Sequence, residues 1–121
     1  MCLFPWSATL QPEGGKPKPD KEGDMKLPCG KCVECLTLRS FEWGIRAKHE
    51  ISLHEENCFL TLTYDEDHIH ETEQGIKKPF QRFIKRLRKQ TKKKLTYMVS
   101  HEYGTKVGRA HHHAIIFGYS P

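Results

Sequence analysis

The 121-residue sequence holds no apolar run approaching the roughly 20 residues needed to cross a bilayer, which excludes an α-helical membrane span. Its amino terminus lacks a basic stretch followed by an apolar one, the pattern of a secretory leader, and the chain contains no internal repeat. An even set of spaced cysteines is also missing. There are five, three of them crowded as Cys29-x2-Cys32-x2-Cys35, a spacing that suits metal ligation better than a disulfide framework and fits a reducing compartment. A soluble, intracellular protein is therefore expected, with room for one packed domain and not two. What the sequence does have is positive charge. Twenty Lys and Arg against fifteen Asp and Glu give a formal +5, with 29% charged and 36% hydrophobic residues, so a polyanionic partner is expected.

Residues 11 to 28 carry four prolines and three glycines among lysines and acids. They offer too little apolar surface to pack and are expected to form a loop or mobile arm, with order beginning near Pro28. From Val33 to about Leu53, apolar Val33, Leu36, Ile45 and Ile51 and aromatic Phe41 and Trp43 are spread among charged residues with few breakers, predicting a helix weakly interrupted at Gly44. Asn57 to Tyr64 (NCFLTLTY) reads as a buried strand ending at the acidic turn Asp65-Glu66-Asp67. Pro79 suits the first turn of a second helix, in which Phe80, Phe83, Ile84 and Leu87 recur at three- and four-residue spacing. A strand from Leu95 to Tyr103, a turn over Gly104 to Gly108 and a strand from Ala110 to Gly118 complete the chain as a hairpin. The order favours an α+β domain.

The last strand opens with His111-His112-His113. Alternation sends His111, His113, Ile115 and Phe117 to one face and His112, Ala114 and Ile116 to the other. Two imidazoles two residues apart on a strand project side by side and can chelate one divalent cation. The alternative is a histidine cluster that binds nothing. A third ligand is expected from the neighbouring strand, where His101 and Glu102 face opposite ways, so that only one can serve; Glu102 is preferred, its alternative being a solvated carboxylate or a partner for Arg109.

FLTLTY at 59 to 64, the basic helix PFQRFIKRLRK, EYG at 102 to 104 and GRAHHHAIIFG at 108 to 118 together resemble the replication initiators of gokushovirus-type microviruses, members of the His-hydrophobe-His endonucleases. CGKCVEC and the following Arg39, Trp43, Arg46 and His49-Glu50 resemble the amino-terminal part of the same proteins, so the likeness runs over nearly the whole chain. The resemblance implies a central antiparallel sheet with FLTLTY beside the histidine strand, and a flexible arm over residues 1–28 before a partial endonuclease domain over 29–121. It implies a divalent metal, Mn or Mg, on His111, His113 and Glu102 that polarises a scissile phosphate. A tyrosine would then become joined to the 5′ phosphate of single-stranded DNA at a replication origin in a bacterial host's cytoplasm. Two departures stand out. His112 replaces the usual apolar residue between the ligands, which is tolerable near a sheet edge. The family's nucleophilic tyrosine lies on a helix after the histidine strand, whereas Tyr119 is the only tyrosine after the cluster, so the nucleophile is expected beyond Pro121 and the chain reads as truncated. Tyr64, Tyr97 and Tyr103 are expected in the core or stacked on bases.

Cys29, Cys32 and Cys35, with Cys2 swinging back, supply four thiolates for a structural zinc; an iron–sulfur cluster has similar needs, and reduced free thiols are the alternative. Cys58 is expected to be a small buried hydrophobe. Arg82, Lys85, Arg86, Arg88 and Lys89, followed by Lys92 to Lys94, form the densest positive patch and are the expected phosphate contacts. Two other readings remain open: a zinc-dependent nucleic-acid-binding module without catalysis, and a prophage remnant without activity.

Overall fold

The computed structural model describes residues 1–121, which form six strands and two α-helices. The strands are β1 (Trp6–Thr9), β2 (Lys18–Pro19), β3 (Met25–Leu27), β4 (Asn57–Leu62), β5 (Thr96–Tyr103) and β6 (Ala110–Phe117); the helices are α1 (Val33–Ser52) and α2 (Lys77–Thr91). Helix, strand, helix and hairpin fall where periodicity puts them, and the fold class is α+β. Contacts divide the chain into Met1–Arg46 and Ala47–Pro121.

In Met1–Arg46, residues expected as an irregular arm instead form an antiparallel sheet in the order β2-β1-β3. Composition misleads here because polar bonds, rather than apolar burial, hold these strands. Trp6 Nε1 donates to the Pro28 carbonyl at 3.0 Å, and the Thr9 hydroxyl donates to the Asp20 carboxylate at 2.7 Å, which lowers the Asp20 pKa. Ala8 is buried where β1 faces both neighbours, and its backbone lies against Gly23 so closely that a Cβ there would come within 2.2 Å of the Ala8 oxygen. Only glycine fits at that position. Pro19 is tolerated because β2 is a two-residue edge strand with little ladder to interrupt.

In Ala47–Pro121, the antiparallel order is β4-β6-β5. Register aligns Leu60, Ala114 and Val99 across the sheet, and Cys58, Ile116 and Tyr97 beside them. The amphipathic spacing of α2 lays Phe80, Ile84 and Leu87 on this face, closing a core with Leu95, Ala114 and Ile116. Phe80, Ile84 and Ile116 are each at most 2% exposed, and burial of each such side chain contributes about 1.5–3 kcal/mol. Cys58 is half-buried against the core, and burial pushes its thiol pKa up. Lys92 ends α2 in the left-handed region at φ 55°. Gly108, at φ 64°, lets the β5–β6 connection close through a 2.8 Å bond from the Gly104 amide to the Arg109 carbonyl.

The opposite sheet face carries Phe59, Thr61, His111, His113, Ile115, Ser100 and Glu102. One end of it is covered by the last turns of α1: Glu50 accepts from Thr96 Oγ1 at 3.2 Å and pairs with His54 at 2.8 Å, and His54 stacks on Phe117 at 6.0 Å. The other end is open, and Phe59 is 65% exposed. Core roles for the tyrosines hold only in part: Tyr64 is half-buried and Tyr97 lies edge-on to Phe80, but Tyr103 is 60% exposed because β5 is an edge strand and that residue lies past α2's cover.

Candidate metal centre

At the open end of the sheet, register sets Glu102 of β5 directly opposite His111 of β6, and His113 follows two residues on. Glu102 Oε2 lies 3.7 Å from Nε2 of His111 and 3.8 Å from Nε2 of His113, and the two rings are 5.0 Å apart. Each oxygen–nitrogen separation is less than twice a metal–ligand bond of about 2.1 Å, so one ion can be shared. The three ligand atoms lie within 4.8 Å of one another. His111 and His113 side chains are 23% and 35% exposed and Glu102 49%, which leaves room for a phosphate oxygen.

Outer bonds point the right atoms inward. His111 Nδ1 is 3.2 Å from the Arg109 carbonyl, which can only accept, so this nitrogen carries the proton and Nε2 keeps its lone pair. His113 Nδ1 is 3.1 Å from the Thr61 hydroxyl on β4, and donation to that oxygen frees its Nε2 in the same way. The Ser100 hydroxyl donates to Glu102 Oε1 at 2.8 Å, leaving Oε2 toward the imidazoles. Two neutral imidazole nitrogens and a carboxylate oxygen are the donor set of a divalent transition or hard cation. Of the two neighbours weighed for the third ligand, Glu102 faces the histidines and His101 faces the core. Arg109, the alternative partner for Glu102, pairs instead with Glu66 and with the Tyr64 carbonyl.

His112 corrects one expectation. It lies on the central strand, not near a sheet edge, is 1% exposed and faces away from the other two. Its Nε2 is 2.6 Å from the Tyr64 hydroxyl and its Nδ1 is 2.7 Å from Nδ1 of His101. Burial lowers the pKa of both imidazoles, with Lys77 adding for His101, and His101 and His111 adding for His112. Burial, together with the Glu71 carboxylate, raises that of Tyr64. His112 is thus no competing ligand. Sequence reading missed Thr61, Ser100 and this buried chain; alternation alone puts Ser100 on the Glu102 face, but Thr61 needs the β4–β6 register.

The basic helix is placed differently from what its neighbourhood in sequence suggests. α2 covers the sheet face that holds the core, whereas Glu102, His111 and His113 occupy the other. Arg82, Lys85, Arg86 and Lys89 are exposed along it; Arg82 lies 3.7 Å from Glu71, and Arg86 borders a cavity of about 220 Å³ with Tyr64, Phe83 and His112. Arg88 is engaged, its guanidinium donating to the Leu95 carbonyl at 2.6 and 3.1 Å and lying over the Tyr97 ring.

In Met1–Arg46, the sulfurs of Cys2, Cys29, Cys32 and Cys35 lie within 4.8 Å of one another. Cys29 and Cys35 are 4.0 Å apart and Cys2 and Cys32 3.9 Å, close to the about 3.8 Å between sulfurs that share a tetrahedral zinc at about 2.3 Å. Backbone amides aim at them: Lys31 and Cys32 N–H groups donate to Cys29, whose pKa they lower, and the Cys29 N–H donates to Cys2. The Leu3 and Cys35 amides lower Cys32 to about 6. For Cys35 the Gly30 amide acts in the same sense, but burial and the neighbouring sulfurs outweigh it and push that thiol up to about 12. Sulfurs that depress and raise one another in this way form one cluster, and four thiolates fit zinc or an iron–sulfur group.

Residues 57–121 match the family of replication-associated proteins of the ORF2 type. The chain is 37% identical over 134 residues to replication-associated protein VP4 of Bdellovibrio phage phiMH2K, covering 99% of this chain and 42% of that protein. It is 41% identical over 105 residues to replication-associated protein ORF4 of Chlamydia phage 1 (84% and 26%) and 39% identical over 100 residues to replication-associated protein ORF2 of Spiroplasma virus 4 (75% and 31%). The chain therefore spans less than half the length of each of these relatives. No solved structure matches it.

Proposed function

Because the chain belongs to the ORF2-type family of phage replication-associated proteins, we propose that it forms the metal-binding part of a replication initiator that nicks single-stranded DNA at an origin, with a sheet of the His-hydrophobe-His endonuclease kind. The observation that carries this reading is the convergence of His111 Nε2, His113 Nε2 and Glu102 Oε2 on an open sheet face, each with its other polar atom already engaged. A divalent ion held there, Mn or Mg, would draw charge from a phosphate oxygen and make the phosphorus electrophilic. The protein's own part is orientation: Arg109's carbonyl, Thr61 and Ser100 keep the three ligands pointed at one place before DNA arrives.

The nucleophilic tyrosine is proposed to come from outside residues 1–121. Tyr64 is tied to His112 and Tyr97 is packed on Phe80, so neither is free to attack. Exposed Arg82, Lys85, Arg86 and Lys89 sit on the far face from the ligands. Their proposed role is to attract the polyanion over distance and hold flanking phosphates, not to grip the phosphate being cut. Cys2, Cys29, Cys32 and Cys35 are proposed to hold a structural zinc.

The test joins to this chain the segment that follows the matched region in the Bdellovibrio phage relative, and incubates it with single-stranded origin DNA and Mn²⁺. Expected is cleavage that leaves protein covalently on the 5′ end and disappears with chelator and in the H111A/H113A double variant. Cleavage that persists in that variant sinks the proposal. DNA binding that persists while the extended chain never cleaves favours a non-catalytic zinc-dependent binding module.

A further inference from the structure

Directly behind the ligand face, a second set of side chains crosses the same sheet. Tyr64 follows β4, His112 sits on β6 and His101 on β5, and His101 is the register partner of His112. Bonds of 2.6 and 2.7 Å link them into one chain, and Phe80 packs on both imidazoles at 5.4 and 5.7 Å. Two imidazole nitrogens can face each other at that distance only if one of them carries a proton, and the Tyr64 hydroxyl can donate to or accept from the remaining nitrogen of His112. One proton per bond satisfies the whole chain in either direction.

Packing does not account for these residue types. Ala114 and Ile116, the next residues on the same face of β6, are apolar, and an apolar side chain at 112 would bury against Phe80 without the cost of desolvating an imidazole. What the chain does is join β5 to β6 at the pair that separates the ligands: Glu102 follows His101, and His111 and His113 flank His112. β5 is an edge strand, held to its neighbour on one side only. The carboxylate rides on β5 and both imidazoles ride on β6, so any loosening between these strands moves Oε2 away from both nitrogens.

Resting on the metal-centre reading above, we infer that Tyr64, His112 and His101 are positioning residues for that centre, a polar clasp that holds Glu102 against His111 and His113 through the sheet. The test measures Mn²⁺ affinity of the full chain by calorimetry. Replacing both buried imidazoles, H101L with H112L, keeps the site apolar and is expected to weaken Mn²⁺ binding by about 10-fold or more, in the range typical of residues that orient ligands. His101→Asn, whose short amide can still meet His112 Nδ1, is expected to stay within about 3-fold of the parent. The clasp acts through Glu102, so in an E102A background the H101L/H112L pair should cost little more; fully additive losses overturn the inference, as does a folded H101L/H112L chain with parental affinity. If that pair does not fold, Tyr64→Phe decides, since it removes the outer bond and keeps the ring: unchanged affinity overturns the clasp and a loss of a few-fold supports it. A parent chain that binds no Mn²⁺ at all overturns the metal reading itself, a result distinct from the others.

Discussion

In Met1–Arg46, the Cys2 sulfur meets three others from 27 or more residues along the chain, and the groups that orient them are backbone amides; in Ala47–Pro121, three ligands sit at fixed register positions of a packed sheet, oriented by Thr61, Ser100 and the Arg109 carbonyl. Ala8 is the one buried residue of the first unit, whereas the second has Phe80, Ile84, Leu87, Leu95, Ala114 and Ile116 in a common core. The difference teaches which way dependence runs. A unit with almost no core must draw its order from what the thiols bind, while a unit with a core can hold a ligand set ready without any ion.

The largest expected effect tests that asymmetry directly. Structural zinc supplies apparent folding free energy of about 10–16 kcal/mol in small zinc modules, far more than Ala8 and a few polar bonds can replace. Stripping zinc with a strong chelator should therefore abolish amide exchange protection in β1 and β3 while β4, β5 and β6 keep theirs. Equal loss in both units, or in neither, would break the comparison.

How much of this was legible beforehand follows the same divide. Periodicity located α1, α2 and the hairpin because apolar burial shapes them, and alternation placed His111 and His113 together. The same arithmetic read residues 1–28 as an arm, because it weighs apolar area and is blind to Thr9–Asp20 or Trp6–Pro28, bonds between partners 11 and 22 residues apart. Thr61 was out of reach for a related reason: it lies 52 residues from His113, and only the β4–β6 register joins them. The basic patch was legible as a patch but not as lying behind the sheet, since which face a helix covers depends on the strand it crosses.

The next effect is loss of binding without loss of fold. H111A with H113A should reduce Mn²⁺ affinity at least about 100-fold, yet shift Tm by less than about 4 °C, because both side chains are solvent-accessible and no core contact is removed. A large drop in Tm would show that the sheet leans on its ligands as the thiol unit does. Smaller, and sharper as a contrast, is the effect on the orienting groups. Thr61→Val and Ser100→Ala delete side-chain partners and should each weaken Mn²⁺ binding about 10-fold. Lys31→Ala should leave zinc retention unchanged, because the Lys31 group that reaches Cys29 is its backbone N–H. Calorimetry on the three variants checks both halves.

The smallest effect is a pH dependence confined to the sheet. His101 and His112 are held below the ordinary imidazole value of 6.5 by burial first, then by the charges of Lys77 on one and of His101 and His111 on the other, with Tyr64 and Phe80 the remaining neighbours. Above pH 6.5 both are neutral in the folded and unfolded chain and contribute no pH dependence. As pH falls below 6.5 the unfolded chain takes up protons that the folded chain refuses, so the unfolded state binds more and stability drops until the lower folded values are reached. The slope is at most about 1.4 kcal/mol per pH unit for each imidazole. His68 works in the opposite sense, since Asp65 raises its pKa, but that pair is exposed and its contribution is screened. Metal-free protein should thus show a level Tm from about pH 8 to about 6.5 and a decline below it that the H101L/H112L chain lacks. A Tm that stays level to about pH 5 in the parent would mean the buried imidazoles accept protons without penalty, and the core of this unit would then be far less closed than its packing indicates.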